Sequence, residues 1–563
     1  MLKKNYSFLL ALLLCCLGAC AGREKGFKSE ANAQITFQDL PFAMPSITLP
    51  RIPDYLVDIT SFGAKGDGQT LNTTAFSDAI ESCSRKGGGH VIVPAGLWLT
   101  GPILLKSYID LHLEEGACIL FSKNIADYPV VTSQYEGLPT FRRRSPISGV
   151  DLENVSITGA GIIDGSGQAW RPVKKEKLTA AQWKNLLNSG GAVAANGKIW
   201  YPSQQAMAGE ALCKKLQQEN VSDPAQYVAA GEFLRPVMIS LIRCKKVLFS
   251  GPAFQNSPAW NIHPFLCEDV VLRDITVRNP WYAQNGDGVD LESCRRVLLE
   301  RGHFDVGDDA ICVKSGKDAA GRLLGRPCEE LVIQECTVYH GHGGFTIGSE
   351  MSGGVRNVVV RNCTFIGTDL GLRFKSLRGR GGVVENIFID NIRMTDIATD
   401  AIGFNMFYSN IEPTAESGFS LSSQMVPVSA ETPIFRKIYL KNILCRGAQR
   451  AVFLQGLPEM PITEIELENV TISAHQGFTA VDAQSVKGIA MSLLTSTPAF
   501  TLINAREVSL HQSLPPADEG VAVRIAGSRS ASIYISGVGL TQFRHRVELA
   551  KEVPSNAVIL SDE

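Results

Sequence analysis

The chain has 563 residues, of which 45% are hydrophobic and 20% are charged, the balance of an ordinary globular protein. Its formal net charge is −2, which excludes the strong positive field that supports non-specific binding of nucleic acid. We therefore expect no nucleic-acid partner, and a polyanionic substrate would have to be bound by local clusters of Arg and Lys.

The first 20 residues have the features of a lipoprotein signal peptide. Two lysines precede an apolar run from Phe8 to Leu17, which is too short for a spanning helix with stop-transfer flanks. The run ends in LGAC, which resembles a bacterial lipobox with Cys20 as the lipidated first residue of the mature chain. We expect a secreted protein, lipid-anchored to the bacterial outer membrane on its periplasmic or cell-surface side. The alternative is an ordinary signal peptide; residues 21–50 are predicted to be a linker.

Residues 72–86 predict one amphipathic helix near the start of the main domain, which we assign to residues 51–563. The apolar side chains on one face of this helix are Ala75, Phe76, Ala79, Ile80 and Cys83. Its flanking segments are typical of turns and strands. We expect the helix to cap the N-terminal end of a strand-rich solenoid, whose open ends need covering.

Two later segments interrupt the strand pattern. Residues from about 170 to 233 are rich in helix-forming residues and predict a helical insertion that projects from the solenoid. The stretch from Tyr408 to Pro433 is polar and Ser-rich, which is typical of a long loop. Insertions of this kind often shape the binding face of a solenoid.

A weak internal repeat is the strongest signal of architecture. Seven segments share a polar start, an alternating β-branched strand, a polar residue near the middle and a second short strand. They begin at Glu268, Arg295, Glu329, Arg356, Glu385, Arg436 and Thr463. Where nothing is inserted, their starts lie about 27 residues apart, a period typical of solenoids. Strands without regular helices predict an all-β fold, a right-handed parallel β-helix that buries one face of each strand.

The 14 cysteines include three in the signal region, and the others are scattered without a C-x-x-C pair. Most fall inside apolar strand-like runs, such as Cys312 in AICVKSG and Cys363 in VVRNCTFIG. We interpret them as small buried hydrophobic residues rather than as disulfides or zinc ligands.

Four short polar motifs follow one another at intervals of about one coil. They are NGDGVD with Asn285, Asp287 and Asp290, GDDAI with Asp308 and Asp309, GHG with His342, and RFK with Arg373 and Lys375. Each motif alone is more often a simple turn. Their joint spacing predicts that they stack on adjacent coils, so that three carboxylates, an imidazole and two cations face one groove.

Such a set suits the hydrolysis of a glycosidic bond. The reaction needs a protonated carboxyl for the leaving oxygen and a carboxylate that activates water. Neighbouring carboxylates repel one another, so at least one of them is expected to keep its proton to higher pH. A neighbouring histidine influences which carboxyl holds the proton, and Arg and Lys pair with the carboxylate of a uronic acid.

In this order the motifs resemble glycoside hydrolase family 28, the polygalacturonase family, from about Ile59 to the last repeats. The stretches ITSFGAKGDG, VSITGAGIIDGSG and SPAWNIHP support the resemblance. It implies inverting hydrolysis of α-1,4-galacturonosyl linkages in pectin (homogalacturonan and oligogalacturonides) without metal or cofactor. By resemblance Asp308 is the general acid, and Asp287 and Asp309 position and activate the water. His342 supports the acid, and the implied substrate-binding residues are Arg373, Lys375 and Asn285.

The sequence departs from the family pattern at Gly286, where Thr is more usual and where exo-acting members often carry Gly. The runs that begin at Gly348 and Leu377 also resemble exo-acting bacterial members. We therefore expect an exo-galacturonidase whose groove is closed at one end by the insertion. Four alternatives remain open: an endo-polygalacturonase, a rhamnogalacturonan hydrolase, a calcium-dependent lyase of the pectate-lyase type, and a non-catalytic glycan-binding β-helix lipoprotein.

Overall fold

A computed structural model describes residues 33–408, 424–496, 498–512, 521–537 and 545–561. Within this part of the chain, 35 strands form one sheet in which neighbouring strands pair in parallel from coil to coil. The sheet winds into a right-handed parallel β-helix, so the predicted fold class is confirmed. Each coil contributes to three ladders of stacked strands, which we call the first, second and third ladder.

The first ladder runs along the whole solenoid. Its separate strands are Leu56–Asp58, Gly89–Val93, Ile109–Leu113, Glu153–Gly159, Lys245–Ser250, Glu268–Arg273, Arg295–Glu300 and Cys328–Gln334. It continues through the long strands Val355–Ile366, Val383–Asn405, Ile434–Gln455, Ile462–Ser473 and Ala483–Leu494, and ends with Arg506–Gln512, Ala531–Ser536 and Val558–Ser561.

The second ladder is made of short strands that merge into the same long strands. They are Gly96–Thr100, Ala117–Phe121, Ile162–Asp164, Ala253–Gln255, Thr276–Arg278, His303–Asp305 and Thr337–His340.

The third ladder carries the predicted motifs. Its strands are Ile103–Leu104, Ile147–Val150, Ile239–Ile242, Ile262–Phe265, Val289–Glu292, Ile311–Lys314, Gly343–Ile347 and Leu370–Lys375. After two long strands it ends with Gln476–Val481, Phe500–Ile503, Val521–Ala526 and His545–Leu549.

The repeat pattern explains both the core and the corners of each coil. Alternate residues point inward, and Ile311, Phe345 and Leu372 stack in register on successive coils of the third ladder. The polar residue in the middle of many repeats adopts a left-handed conformation, as at Asn362 (φ 57°) and Asn391 (φ 52°). Asn tolerates this conformation, and the amide of Asn391 donates to the side-chain oxygen of Asn362 at 2.8 Å. The corners therefore stack as regularly as the strands.

The predicted N-terminal helix is found at Thr73–Arg85 and buries the five apolar residues expected of it. The predicted helical insertion contains the helices Ala180–Asn188 and Gln204–Gln218 and a small sheet of Val173–Lys174, Ala192–Val193 and Ile199–Tyr201. A further helix spans Asp318–Leu324, and 3-10 helices span Ile59–Phe62, Ile125–Asp127, Gly167–Ala169, Lys175–Lys177 and Pro224–Ala230. A hairpin of Val130–Tyr135 and Leu138–Arg143 stands beside the insertion. None of the helices in the described ranges has the length and apolar character to cross a bilayer.

The prediction of a linker over residues 21–50 is wrong for residues 33–50. This segment pairs Gln34–Ile35 with Ile47–Thr48 and packs on the outer face of the first ladder. There Ile47 is fully buried against Val271, Leu298 and Val332, because these three valine and leucine side chains point outward and need an apolar cover. Residues 21–32, Cys20 and the signal segment lie outside the described residues.

The described cysteines are free, and all except the half-buried Cys118 are buried. Burial raises the pKa of several of their thiols, as at Cys83, whose pKa rises to about 11. The interpretation of these cysteines as small buried hydrophobic residues is confirmed.

Candidate active site

Consecutive strands of the third ladder bring the four predicted motifs together. Val289 pairs with Ile311, Ile311 with Phe345, and Phe345 with Leu372. The polar residues occupy the turns that enter these strands or the strands themselves: Asp287, Asp308, Asp309, His342, Arg373 and Lys375. Parallel stacking therefore brings residues up to 88 positions apart in sequence, from Asp287 to Lys375, together on four successive coils.

These side chains surround a cleft of about 530 Å³. Most of the predicted site residues line it: Asn285, Asp287, Asp308, Asp309, His342 and Lys375. Arg373 lies behind them, with its Nη1 at 3.0 Å from Oδ1 of Asp309. One carboxyl oxygen from each of Asp287, Asp308 and Asp309 lies within 4.8 Å of the other two.

Asp309 is a buried carboxylate whose charge is matched by two cations. Its Oδ1 accepts hydrogen bonds from Arg373 at 3.0 Å and from the Thr346 hydroxyl at 3.0 Å. Its Oδ2 accepts one from the Lys375 ammonium at 2.7 Å. Burial alone would raise the pKa of Asp309, but Lys375 and Arg373 hold that pKa far below its usual range. Asp309 is therefore the carboxyl of the cluster that its surroundings hold in the ionised form.

Asp287 has the opposite environment. It is only 3% exposed, and its Oδ1 has no hydrogen-bond partner among the described residues. Burial, with the charges of Asp290 and Asp308, raises the pKa of Asp287 well above the usual value. The same three-carboxyl cluster thus contains one group that stays ionised and one that tends to hold a proton, as expected from like charges at short range.

Asp308 and His342 are linked through the backbone and are the accessible members of the site. The amide of His342 donates to the carbonyl of Asp308 at 2.8 Å, and the amide of Asp309 donates to Oδ1 of Asp308 at 3.0 Å. Asp308 is half-buried, in contrast to the two buried carboxyls beside it. Nδ1 of His342 donates to Oδ2 of Asp369 at 2.7 Å, and this hydrogen bond lowers the pKa of Asp369.

Asn285 has its side-chain oxygen already engaged. Arg235 donates to that oxygen at 2.9 Å, and Asn285 adopts a left-handed conformation with φ 55°. The predicted binding residue therefore reaches the cleft as part of its wall.

Several residues of the site were missed by the sequence analysis. Asp369 orients His342, and the ring of Tyr408 lies over Lys375 at 5.0 Å and over Arg373 at 5.5 Å. Lys314 donates to Glu350 at 3.1 Å and lies 3.6 Å from Asp290. In ICVK the core residues Ile311 and Val313 alternate with Cys312 and Lys314, which places the lysine on the outward face; this is the one signal that favoured it.

Lys314 also determines the charge of Glu350. Burial would raise the pKa of this carboxyl, but Lys314 and Lys375 lower it to about 2. The ammonium of Lys314 lies 4.5 Å from the ring of Trp260, so it is enclosed on several sides. The positive charge of Lys314 is therefore balanced by carboxyl groups of the cleft wall.

Part of the cleft wall comes from outside the coils that carry the motifs. The insertion contributes Lys177 beside Gly307 and, at one end, Lys174 and Glu176, and the turn of the 130–143 hairpin contributes Glu136. Trp260, on the coil before Asp287, lies at the same end and stacks on Tyr135 of the hairpin at 4.7 Å. The cleft is therefore bounded on its N-terminal side.

The three clustered aspartates also need testing as a metal site. Their spacing is within the reach of one divalent cation. However, the two oxygens of Asp309 are already paired with Arg373 and Lys375, so the donor set is largely neutralised without an ion. The residues present fit poorly with a resident metal, and the absence of a metal cofactor remains a prediction.

The fold and this site define a β-helical glycoside hydrolase. A model of the glycosyl hydrolases family 28 matches residues 230–491, so the insertion residues that line the cleft lie outside the match. The chain is 30% identical over 460 residues to a probable polygalacturonase of Vitis vinifera, covering 79% of this chain and 80% of that protein. An exo-poly-alpha-D-galacturonosidase of Dickeya chrysanthemi is 29% identical over 371 residues, which cover 64% of this chain and 58% of that protein.

A solved structure agrees with these relatives. The hyperthermoactive exopolygalacturonase of Thermotoga maritima has a TM-score of 0.66 at 33% identity, covering 80% of this chain and 94% of that chain. The chain belongs to glycosyl hydrolases family 28, which confirms the predicted resemblance, and it is an enzyme.

Proposed function

We propose that this enzyme hydrolyses α-1,4-galacturonosyl linkages of homogalacturonan and oligogalacturonides, acting from a chain end. The single observation that carries the proposal is the close cluster of Asp287, Asp308 and Asp309, in which the accessible Asp308 lies beside a carboxylate that Arg373 and Lys375 hold in its ionised form. Hydrolysis of a glycosidic bond needs a carboxyl that can reach the leaving oxygen and a carboxylate that activates water. The polygalacturonases among its relatives support the substrate class.

Each carboxyl has a role that follows from its environment. Asp308 is the general acid, because it is the accessible member of the three and lies beside His342. Asp309, held as a carboxylate by Arg373 and Lys375, activates the attacking water, and Asp287 helps to position it. Asp369 fixes the ring of His342, which supports the acid.

The inverting outcome depends on the family rather than on carboxyl separation. Inverting enzymes usually keep their two carboxyl groups about 6.5–9.5 Å apart to make room for water. Here one oxygen of each aspartate lies within 4.8 Å of the others. Stacking on adjacent coils explains this crowding, since the strands of one ladder are about 4.8 Å apart.

Exo action is supported by the closed end of the cleft. The hairpin and the insertion contribute Glu136 and Lys174 to the cleft wall beside Trp260, and we infer that they hinder a long chain from passing through in that direction. The exo-acting relatives support the same conclusion.

Product analysis on polygalacturonate tests both the bond and the mode of cleavage. We expect mono- or disaccharide to appear while the viscosity of the solution falls slowly. A rapid fall in viscosity with little small product would indicate an endo-polygalacturonase instead. Activity in chelator and no absorbance from unsaturated products separate hydrolysis from calcium-dependent lyase chemistry, and rhamnogalacturonan serves as the competing backbone. Proton NMR of the same reaction identifies the anomer that is released first.

We also propose that the protein is secreted and anchored by lipid at Cys20. The support is the LGAC sequence after an apolar run; these residues lie outside the part of the chain that the structure describes. In cells fed labelled palmitate, the natural protein should carry label and partition into detergent, whereas Cys20→Ser should do neither. Equal labelling of the two proteins would place the lipid elsewhere, and no label in either would leave an ordinary signal peptide.

A further inference from the structure

The insertion places an ammonium group in the cleft that the proposed mechanism does not use. Lys177 is the last residue of the 3-10 helix Lys175–Lys177 and lines the cleft with Asp308, His342 and Asp369. Its Nζ donates to the carbonyl of Gly307 at 3.2 Å, directly before Asp308. A residue from outside the stacked motifs thus reaches the centre of the site.

The backbone of Lys177 is held in place from two sides. The indole Nε1 of Trp281 donates to its carbonyl at 2.9 Å. On the other side, the amide of Lys175 donates to the carbonyl of Lys198 at 2.8 Å, next to the small sheet of the insertion. The position of the ammonium therefore follows from the fold of the insertion and is largely set before a ligand binds.

Three cations on the coils that carry the motifs are already engaged. Arg373 and Lys375, with side chains 9% and 8% exposed, both pair with Asp309. Lys314 pairs with Glu350 and lies beside Asp290. Each of these three cations therefore has an ion-pair partner within the protein.

Lys177 differs because its hydrogen bonds go to uncharged groups. Its Nζ contacts the carbonyls of Gly307 and Trp281, at 3.2 and 3.5 Å, and no described carboxylate forms an ion pair with it. Carbonyls orient an ammonium without cancelling its charge. The positive charge of Lys177 helps to lower the pKa of Asp369, although the hydrogen bond from His342 has the larger effect.

We propose that Lys177 is a specificity-determining residue that binds the carboxylate of a galacturonate unit beside the bond to be cleaved. This inference rests on the proposed function, because it names a further group that distinguishes a uronate from a neutral sugar. The ammonium is hydrogen-bonded to the residue directly before Asp308, and both side chains line the cleft, so a sugar bound at the general acid would lie within its reach. A charge-assisted hydrogen bond to the uronate is then available without breaking an internal ion pair.

The test compares Lys177→Gln with Lys177→Arg and with a control on the same turn, Lys175→Gln. Lys175 is exposed and lies 6.0 Å from the ring of Trp183 rather than in the cleft. The probes are trigalacturonate and its fully methyl-esterified analogue, the latter measured as substrate or, where it is not turned over, as competitive inhibitor. Melting temperatures check that each variant is folded.

We expect Lys177→Gln to raise KM for trigalacturonate about 10-fold to 100-fold with kcat nearly unchanged, since a hydrogen bond to a charged group is lost. Affinity for the methyl ester should change little, so discrimination between acid and ester falls. Lys177→Arg should keep most of the discrimination between acid and ester, and Lys175→Gln should resemble the natural enzyme.

Equal losses of affinity for the acid and the ester, or a fall in kcat alone, would overturn the inference. Lys177 would then serve only to hold the insertion against the coils. In that case the natural enzyme still cleaves trigalacturonate. If the natural enzyme does not cleave trigalacturonate, the proposed function fails, and this inference fails with it.

Discussion

Asp308→Asn should abolish turnover of galacturonan while the β-helix stays folded. The amide that replaces the carboxyl has no proton to give to the leaving oxygen, and loss of a general acid typically lowers the rate about 100-fold to 10,000-fold. The side chain is half-buried and accepts one hydrogen bond, from the amide of Asp309. An Asn oxygen can accept the same bond, so stability should change little. Release of reducing ends and circular dichroism measure the two effects.

A matched control is available three residues earlier. Asp305 lies in the second ladder, half of its side chain is exposed, and it pairs with His340 at 3.1 Å away from the cleft. Asp305→Asn should keep full activity. Hydrolysis by a correctly folded Asp308→Asn protein would remove Asp308 from the acid role, and unchanged biological function of that variant would favour a glycan-binding protein.

Lys375→Met should move the acidic limb of the pH–rate profile to higher pH and destabilise the protein. Without the ammonium, burial acts on Asp309 with Arg373 and His342 left to oppose it, so the pKa of Asp309 rises. Loss of an adjacent opposite charge changes a carboxyl pKa by about 1–3 pH units. Removing one partner of a buried ion pair costs about 3–5 kcal/mol of folding free energy.

The sign of the pH dependence follows from the direction of the shift. In the natural protein the pKa of Asp309 is lower when folded than when unfolded. Its ion pairs therefore stabilise the fold fully above the unfolded pKa, about 3.9, and that stability is lost as pH falls toward the folded value. The variant should lose most of this stabilisation at neutral pH, and less in acid.

Urea unfolding and kcat against pH measure these effects. The control is Lys441→Met, which removes an exposed lysine 2.9 Å from Glu468 on a distant coil. Exposed pairs contribute little, so this variant should match the natural protein. An unmoved acidic limb in Lys375→Met would show that Asp309 does not need Lys375 to stay ionised.

The residues that the sequence analysis missed share a physical feature. Tyr408 follows a long strand and reaches Lys375 across the cleft, and Asp369 precedes a strand one coil after His342. Neither lies in a motif of its own, and each gains its role from a neighbour on another coil. The same holds for Lys314, whose partner Glu350 is 36 positions away.

The linker prediction failed for a related reason. Residues 33–50 have no helical or strand periodicity, so nothing local indicated that they were structured. Their apolar side chains are held only because the first ladder presents Val271, Leu298 and Val332 on its outer face. Burial of that kind depends on the surface that other parts of the chain provide.

The sequence by itself determined the β-helix, the capping helix and the order of the four polar motifs. These features arise within single coils, where period-2 alternation and left-handed Asn corners act locally. Only the tertiary structure decided which carboxyl is ionised, which cations are already paired and which wall the insertion supplies. Those properties depend on burial and on distances between coils, because the electrostatic energy of a buried group is set by every charge packed around it.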